Sequence, residues 1–331
     1  MKIDAFAHVI TDRYRKRVLD HLRTRGDVVA EHYEHVLERD RTLADLDARF
    51  ALMDAIGPDY RQVLVMAHTS VEHEEPAIAA EFAKLGNEEM AALVRQYPER
   101  FAGWVAQATL QDGARGLEAL DEALLEHGAV GVQTFTQVQG RPLDHPEFES
   151  FFEHMAKLGR PIWIHPNRTA KWADYPDSES ESRYMLFGRA GWPADTTVTM
   201  MRLVYAGYLE RWPELKFVMH HSGGTVPMLA GRLKQTPDGI GAERVNQLLT
   251  QPVDQYLKRF YVDTANFGNP IALRAALEFF GVDHVLFGTD FGFSAAFAPD
   301  TIADIELVVQ DNADKRAVYE DNTRRLLGLP A

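Results

Sequence analysis

Eight short apolar runs punctuate this chain. They cover 2–8, 63–67, 101–106, 129–135, 161–165, 216–221, 260–263 and 283–289. Runs of this length, flanked by turn residues, read as strands buried on both faces. Between them apolar residues recur at helical spacing. Within 11–56, Leu43, Leu46, Phe50 and Met53 share one helix face, and Gly57-Pro58 stops the pattern. The same spacing predicts helices over 72–97 (with Gly86-Asn87 as a break), 113–127, 148–158, 196–212, 270–280 and 313–327, and one more after Gly223-Gly224. Strand and helix alternating eight times predict an α/β fold, a single (β/α)8 TIM barrel over residues 1–331. A doubly wound open sheet would favour Gly-x-Gly-x-x-Gly after the first strand, and the chain has none there. The rhythm breaks once. Residues 168–194 carry Ser178, Ser180 and Ser182 with Trp172, Tyr175, Tyr184, Phe187 and Trp192, which predicts a long functional loop insertion after the fifth strand.

Four of the runs end in side chains that bind metals. Ile3-Asp4-Ala5-Phe6-Ala7-His8, Pro161-Ile162-Trp163-Ile164-His165 and Lys216-Phe217-Val218-Met219-His220-His221 end in histidine, and Leu286-Phe287-Gly288-Thr289-Asp290 ends in a carboxylate. The C-terminal ends of barrel strands meet on one rim, so these groups converge. The chain has no cysteine, which restricts any metal to nitrogen and oxygen ligands. Imidazoles with a carboxylate suit Zn²⁺, Fe²⁺ or Mn²⁺, whereas Ca²⁺ or Mg²⁺ would call for more oxygens. Alternation along a strand admits only one of His220 and His221 to the interior.

Charge narrows the partners. A formal net charge of −14 argues against nucleic acid or an anionic membrane surface. A small anionic substrate stays open, because a metal and a few arginines reverse the local potential. No apolar run approaches a membrane span, and the start reads as a strand instead of a signal peptide, so a cytoplasmic location is expected. Arg168, three residues past His165, is placed either to clamp a substrate carboxylate or to stand exposed in its loop. Trp192 and Phe187 are pocket-lining candidates that could equally pack the insertion. His68 and Gln107 stand at strand ends, and Asp263 reads as a supporting acid. Glu72-His73-Glu74-Glu75 reads as helix capping and solvated charge.

The ordered motifs resemble the amidohydrolase superfamily, in the branch of aminocarboxymuconate-semialdehyde decarboxylase and related aromatic-acid decarboxylases. They are Lys2-Ile3-Asp4, Pro161 to Pro166, Arg211-Trp212-Pro213-Glu214-Leu215-Lys216-Phe217-Val218, His221-Ser222-Gly223-Gly224 with Pro227, Tyr261-Val262-Asp263-Thr264 and Leu286 to Asp290. The resemblance covers nearly the whole chain. It implies His8, His165 and Asp290 as metal ligands, and His221 and Asp290 as the groups that move protons. It assigns His220 a structural role between strand and helix. Phe6 stands where the family has the first histidine of a His-x-His pair, and it cannot bind a metal. Phe6 is placed with Arg168 and Trp192 on the substrate's side.

The resemblance implies one divalent ion, zinc first, with manganese and iron as alternatives. The expected reaction is non-oxidative decarboxylation of a small carboxylate. Metal-assisted hydrolysis of an amide, ester or lactone uses the same residues, and oxygen activation at iron is a further chemistry. The departure at Phe6 raises the contrary reading of a non-catalytic subunit paired with an intact paralogue. A homodimer is otherwise expected.

Overall fold

The computed structural model describes residues 1–67, 71–235, 238–293 and 297–329. Seven strands, β1 (Lys2–Val9), β2 (Tyr60–Met66), β3 (Phe101–Gln107), β4 (Gly131–Phe135), β5 (Ile162–His165), β6 (Phe217–Met219) and β7 (Tyr261–Val262), form one sheet in chain order. Every neighbouring pair is parallel. The eighth predicted strand forms no ladder. Val282–His284 is a 3₁₀ turn, and beyond it single bridges join Val285 to Val262 and Phe291 to Ala7. Leu286 N donates to Val262 O and Ala5 N to Phe287 O, each at 2.8 Å. Side chains take the donors a ladder would use: Gly288 N donates to Thr264 Oγ1, and Thr289 N to Asp4 Oδ1. The sheet therefore curls into a TIM-barrel-like cylinder of seven paired strands, with 285–291 spanning its two edges.

Phase along the strands decides what faces the axis. Ile3, Val63, Val65, Val105, Trp163, Val218 and Leu286 form one buried cluster across the cylinder. Their strand neighbours Leu64, Met66, Ala106, Ile162, Ile164, Phe217, Met219, Val285 and Phe287 join a second cluster beneath the helices. Trp163 Nε1 donates across the interior to Ala5 O at 3.1 Å. The β1–β2 register slips between Asp4 and Ala7, placing one extra residue in β1. Ala5 and Phe6 consequently both join the inner cluster, while Ala7 joins the outer.

The charged stretch after β1 divides into α1 (Asp12–Arg25), α2 (Asp27–Arg39) and α3 (Leu46–Ile56). The next helix, α4 (Pro76–Gln96), runs unbroken through Gly86-Asn87. Gly86 serves packing there, since a Cβ would sit 2.6 Å from Gln107 Nε2 and 2.7 Å from Met66 Cε. Asn87 Oδ1 accepts from Gln107 N at 2.9 Å and ties α4 to the end of β3. Residues 166–186 connect β5 to a π-helical turn (Phe187–Gly191) through turns and bends with no strand. The following helix starts at Trp192, four residues ahead of the sequence expectation. Elements outside that expectation include a short hairpin pairing Gln137–Val138 with Arg141–Pro142, the helices Ala242–Leu248 and Val253–Leu257, and the helix Ala298–Val308. No helix among the described residues is long and apolar enough to cross a membrane.

Candidate active site

His8 is fully buried near the C-terminal end of β1, turned inward by the phase that the extra residue sets. Arg49, itself fully buried, donates from Nη1 to His8 O at 2.7 Å and from Nε to Gln62 Oε1 at 2.8 Å. Burial lowers the Arg49 pKa to about 10, which leaves it charged at neutral pH. His165 closes β5 on the inner phase of Trp163, two residues before it. Its Nδ1 meets Pro166 O at 2.7 Å. A carbonyl only accepts, so Nδ1 carries the proton and Nε2 keeps its lone pair.

His220 stands two residues beyond Val218 and inherits the inner phase of β6. Its Nδ1 is bound to Asp263 Oδ2, and its Nε2 lies 3.2 Å from Asp290 Oδ1. The expectation that His220 is structural and only His221 faces the interior is therefore corrected. Alternation fails here because β6 ends at Met219 and the chain turns: His221 and Ser222 both have φ of 54°. Left-handed backbone brings His221 round beside His220, ring centroids 4.0 Å apart, with Nε2 4.0 Å from Asp290 Oδ2. Asp263 holds that turn by accepting from Ser222 N at 3.0 Å and Ala265 N at 3.1 Å.

Asp290 joins the group from the far edge, also left-handed with φ of 57°. Its Oδ1 lies 3.1 Å from His8 Nε2. Thr289 fixes its approach, donating to Asp4 Oδ2 at 2.6 Å. Asp4 accepts there from Tyr60 as well, also at 2.6 Å. Burial raises Asp290, but hydrogen bonds from His220 and His8 prevail and hold it well below the usual carboxylate range. Burial opposes charge on His220, yet Asp263 and Asp290 raise its pKa to about 9. For His221, burial and then the neighbouring His220 lower it to about 4, so it is neutral at pH 7.

Of the residues placed on the substrate's side, Trp192 reaches the site. Its ring is 5.5 Å from His165 and lies nearly parallel to His221 at 6.3 Å. Arg168 packs against Gly191 in the loop, with Nη2 3.9 Å from Asp174 Oδ1, and its carbonyl accepts from Trp192 Nε1 at 2.9 Å. Phe6 is fully buried and offers a substrate no exposed surface. Its ring stacks on His220 at 3.8 Å and 12°. Phe187 packs on Trp192 at 6.3 Å. Gln107 is engaged by α4, and His68 lies outside the described residues. Glu72 overturns its reading as solvated charge: it is fully buried, with neither oxygen hydrogen-bonded, and burial raises its pKa well above the usual range. Phe293, 5.5 Å from His8, and Phe267, 5.7 Å from His221, are further aromatic neighbours that strand patterning did not reveal.

Donor atoms of His8, His165 and His220 lie within 4.8 Å of one another, as do those of His220, His221 and Asp290. Nδ1 of His8 has no hydrogen-bond partner, although the side chain is fully buried, and Nε2 stands 3.1 Å from Asp290 Oδ1. Unpaired buried polar atoms carry a free-energy cost that a cation would remove. Ligands held 2.0–2.1 Å from one ion stand about 3.0–3.4 Å apart. The separations of 3.1 and 3.2 Å from Asp290 Oδ1 to His8 and His220 fall in that range. The residues fit a metal of nitrogen and oxygen preference.

A 2-amino-3-carboxymuconate-6-semialdehyde decarboxylase of Dictyostelium discoideum is 28% identical over 221 residues, 66% of this chain. The match spans 58% of that relative's length, little more than half. A gamma-resorcylate decarboxylase of a Polaromonas species is 28% identical over 300 residues, 88% of this chain and 90% of its own. The solved 5-carboxyvanillate decarboxylase of Novosphingobium aromaticivorans, complexed with manganese and 4-hydroxy-3-methoxy-5-nitrobenzoic acid, shares the fold. Its TM-score is 0.84 at 21% identity, covering 99% of this chain and 96% of that one. The amidohydrolase family model (Amidohydro_2) matches residues 3–329, and the chain belongs to that family.

Proposed function

We propose that this protein is a metal-dependent lyase that releases CO₂ from a small hydroxylated aromatic carboxylate without an oxidant. The observation that carries this is the convergence of buried histidines and Asp290 on the strand C-termini, with Nδ1 of buried His8 unpaired and its Nε2 3.1 Å from Asp290 Oδ1. His8, His165 and Asp290 would hold the ion. When bound, it supplies a Lewis acid and an anchor for the substrate's carboxylate or a neighbouring oxygen. Zinc remains the ion expected for an imidazole-rich set, with manganese as the alternative. The decarboxylase relatives support the reaction, and the manganese of the Novosphingobium structure supports the ion class.

His221, neutral and with Nδ1 unpaired, would take a proton from a substrate hydroxyl and return it to the ring carbon as CO₂ departs. Asp290 is the other group placed to move that proton. Trp192 would stack on the aromatic ring, and Arg168 would clamp a carboxylate. Phe6 does not fill the space between the histidines, because its ring lies on the face of His220 and leaves the nitrogens at the ring edge clear. That arrangement favours an enzyme over a non-catalytic subunit.

Elemental analysis of protein purified without added metal tests the reading. About one ion per chain is expected, lost in His165→Ala and Asp290→Ala, together with CO₂ release from 2,6-dihydroxybenzoate or a related hydroxybenzoate. Metal without decarboxylation, joined to turnover of an ester or lactone, would replace the lyase with a hydrolase. No metal after reconstitution would refute both.

A further inference from the structure

We propose that His220 is itself a metal ligand in this chain, supplying through Nε2 the coordination that Phe6 cannot give, while His221 beside it stays free for proton transfer. The inference rests on the metal reading above and goes beyond its ligand set.

Four observations carry it. His220 is the residue common to both groups of converging donors. The strand phase that makes Val218 an inner residue directs the His220 ring to the axis, level with the end of β5; its centroid is 5.1 Å from that of His165. The other nitrogen is committed elsewhere: Nδ1 is bound to Asp263. A carboxylate behind Nδ1 is what orients and enriches an imidazole whose Nε2 coordinates a metal. Finally, Phe6 lies flat on the His220 ring at 3.8 Å. A flat aromatic face fixes the ring plane without competing for its nitrogens.

The pairing explains how a phenylalanine is tolerated inside this site. Phe6 contributes no donor, but it buttresses the one that replaces it. His221, by contrast, has Nε2 4.0 Å from Asp290 Oδ2 and an unpaired Nδ1. Its side chain is 10% exposed, against none for His220, and its ring lies 6.3 Å from that of Trp192.

The test uses the full chain with Zn²⁺ and Mn²⁺ alone, read by isothermal titration and by metal content after dialysis. His220→Ala should weaken binding by more than the roughly 10–100-fold that loss of an outer hydrogen-bonding partner costs. Asp263→Asn should fall within that range, because the ring remains. Phe6→His in the His220→Ala background should recover binding to within about tenfold of wild type, since a ring at position 6 already reaches the same donors. Thermal melts in chelator separate metal loss from misfolding. Wild-type affinity in His220→Ala, with affinity lost in His8→Ala and Asp290→Ala, would overturn this proposal and leave the metal site intact. Failure of wild type to bind either ion would overturn both. Should His220→Ala fail to fold, the Phe6→His, His220→Ala double variant decides: folded and metal-binding supports the exchange, folded and metal-free refutes it.

Discussion

Asp4 allows a quantitative test of how this barrel supports its site. Its carboxyl is fully buried and receives four donors: the hydroxyls of Thr289 and Tyr60, each at 2.6 Å, and the amides of Phe6 at 3.1 Å and Thr289 at 3.2 Å. The donors favour the anion and burial disfavours it. Burial wins, and the pKa rises from 3.8 to about 6. A shift of about 2.2 units corresponds to about 3 kcal/mol. The folded chain therefore binds this proton more tightly than the unfolded one. The stabilisation is fully present below about pH 3.8, falls by about 1.4 kcal/mol per pH unit, and is gone above about pH 6.

Asp4→Asn removes the titration. Other carboxylates oppose the trend: Asp290 and Asp263 have lowered values, so their contributions are lost as pH falls. Those terms cancel in the difference between wild type and variant, to the extent that the sites are independent. Urea unfolding of both proteins from pH 4 to 7.5 should show wild type losing about 2.4 kcal/mol relative to Asp4→Asn across the window. A flat difference, or wild type gaining with pH, would mean that the four donors outweigh burial and that an anion holds Thr289 in place.

Four further outcomes follow. His221→Ala should retain its metal while decarboxylation falls by at least about 100-fold; metal loss, seen by elemental analysis, would instead make His221 a ligand. Glu72→Gln should remove a buried acid whose raised pKa makes wild type lose stability as pH rises, so the variant should gain relative to wild type in chemical unfolding as pH is raised above the ordinary glutamate value of 4.5. Gly224→Ala places a Cβ 2.4 Å from Pro193 O at φ of 65°, and should cost roughly 1–3 kcal/mol; a melting temperature within a degree of wild type would contradict the close approach. Arg168→Met should raise KM more than it lowers kcat if the guanidinium clamps a carboxylate, and unchanged kinetics would return Arg168 to its loop.

The alternation of strands and helices was legible because both faces of each strand are apolar and Gly or Pro interrupts the helices. His8, His165 and Asp290 were legible as strand ends. The eighth strand was overread, since its pattern is apolar while its amides bond to Thr264 and Asp4 side chains that no periodicity reveals. Glu72 was misread because acids near a helix start are usually solvated, and only the packed rim shows this one buried. His220 was recoverable in principle. Counting back two residues from His165 gives Trp163, and two from His220 gives Val218, both interior; the same count from His221 gives Met219, which packs outward. The left-handed pair that recovers His221 leaves no such trace, because neither histidine nor serine requires positive φ and most of both adopt negative φ.

One carboxylate reconciles these facts. Asp263 accepts from Ser222 N and Ala265 N, which holds the left-handed turn, and from His220 Nδ1, which aims that ring. The backbone cost of two consecutive non-glycine residues at positive φ, of order 1–3 kcal/mol each, is offset where buried amides would otherwise lack acceptors. Turn and ring orientation are thus set by the two oxygens of one carboxylate, Oδ1 for the turn and Oδ2 for the ring, which couples the two histidines. The proposed metal donor at 220 and proton carrier at 221 need adjacent rings on one side of the chain, which an extended strand cannot give. Ending β6 at Met219 and anchoring the turn on the next strand's acid gives both.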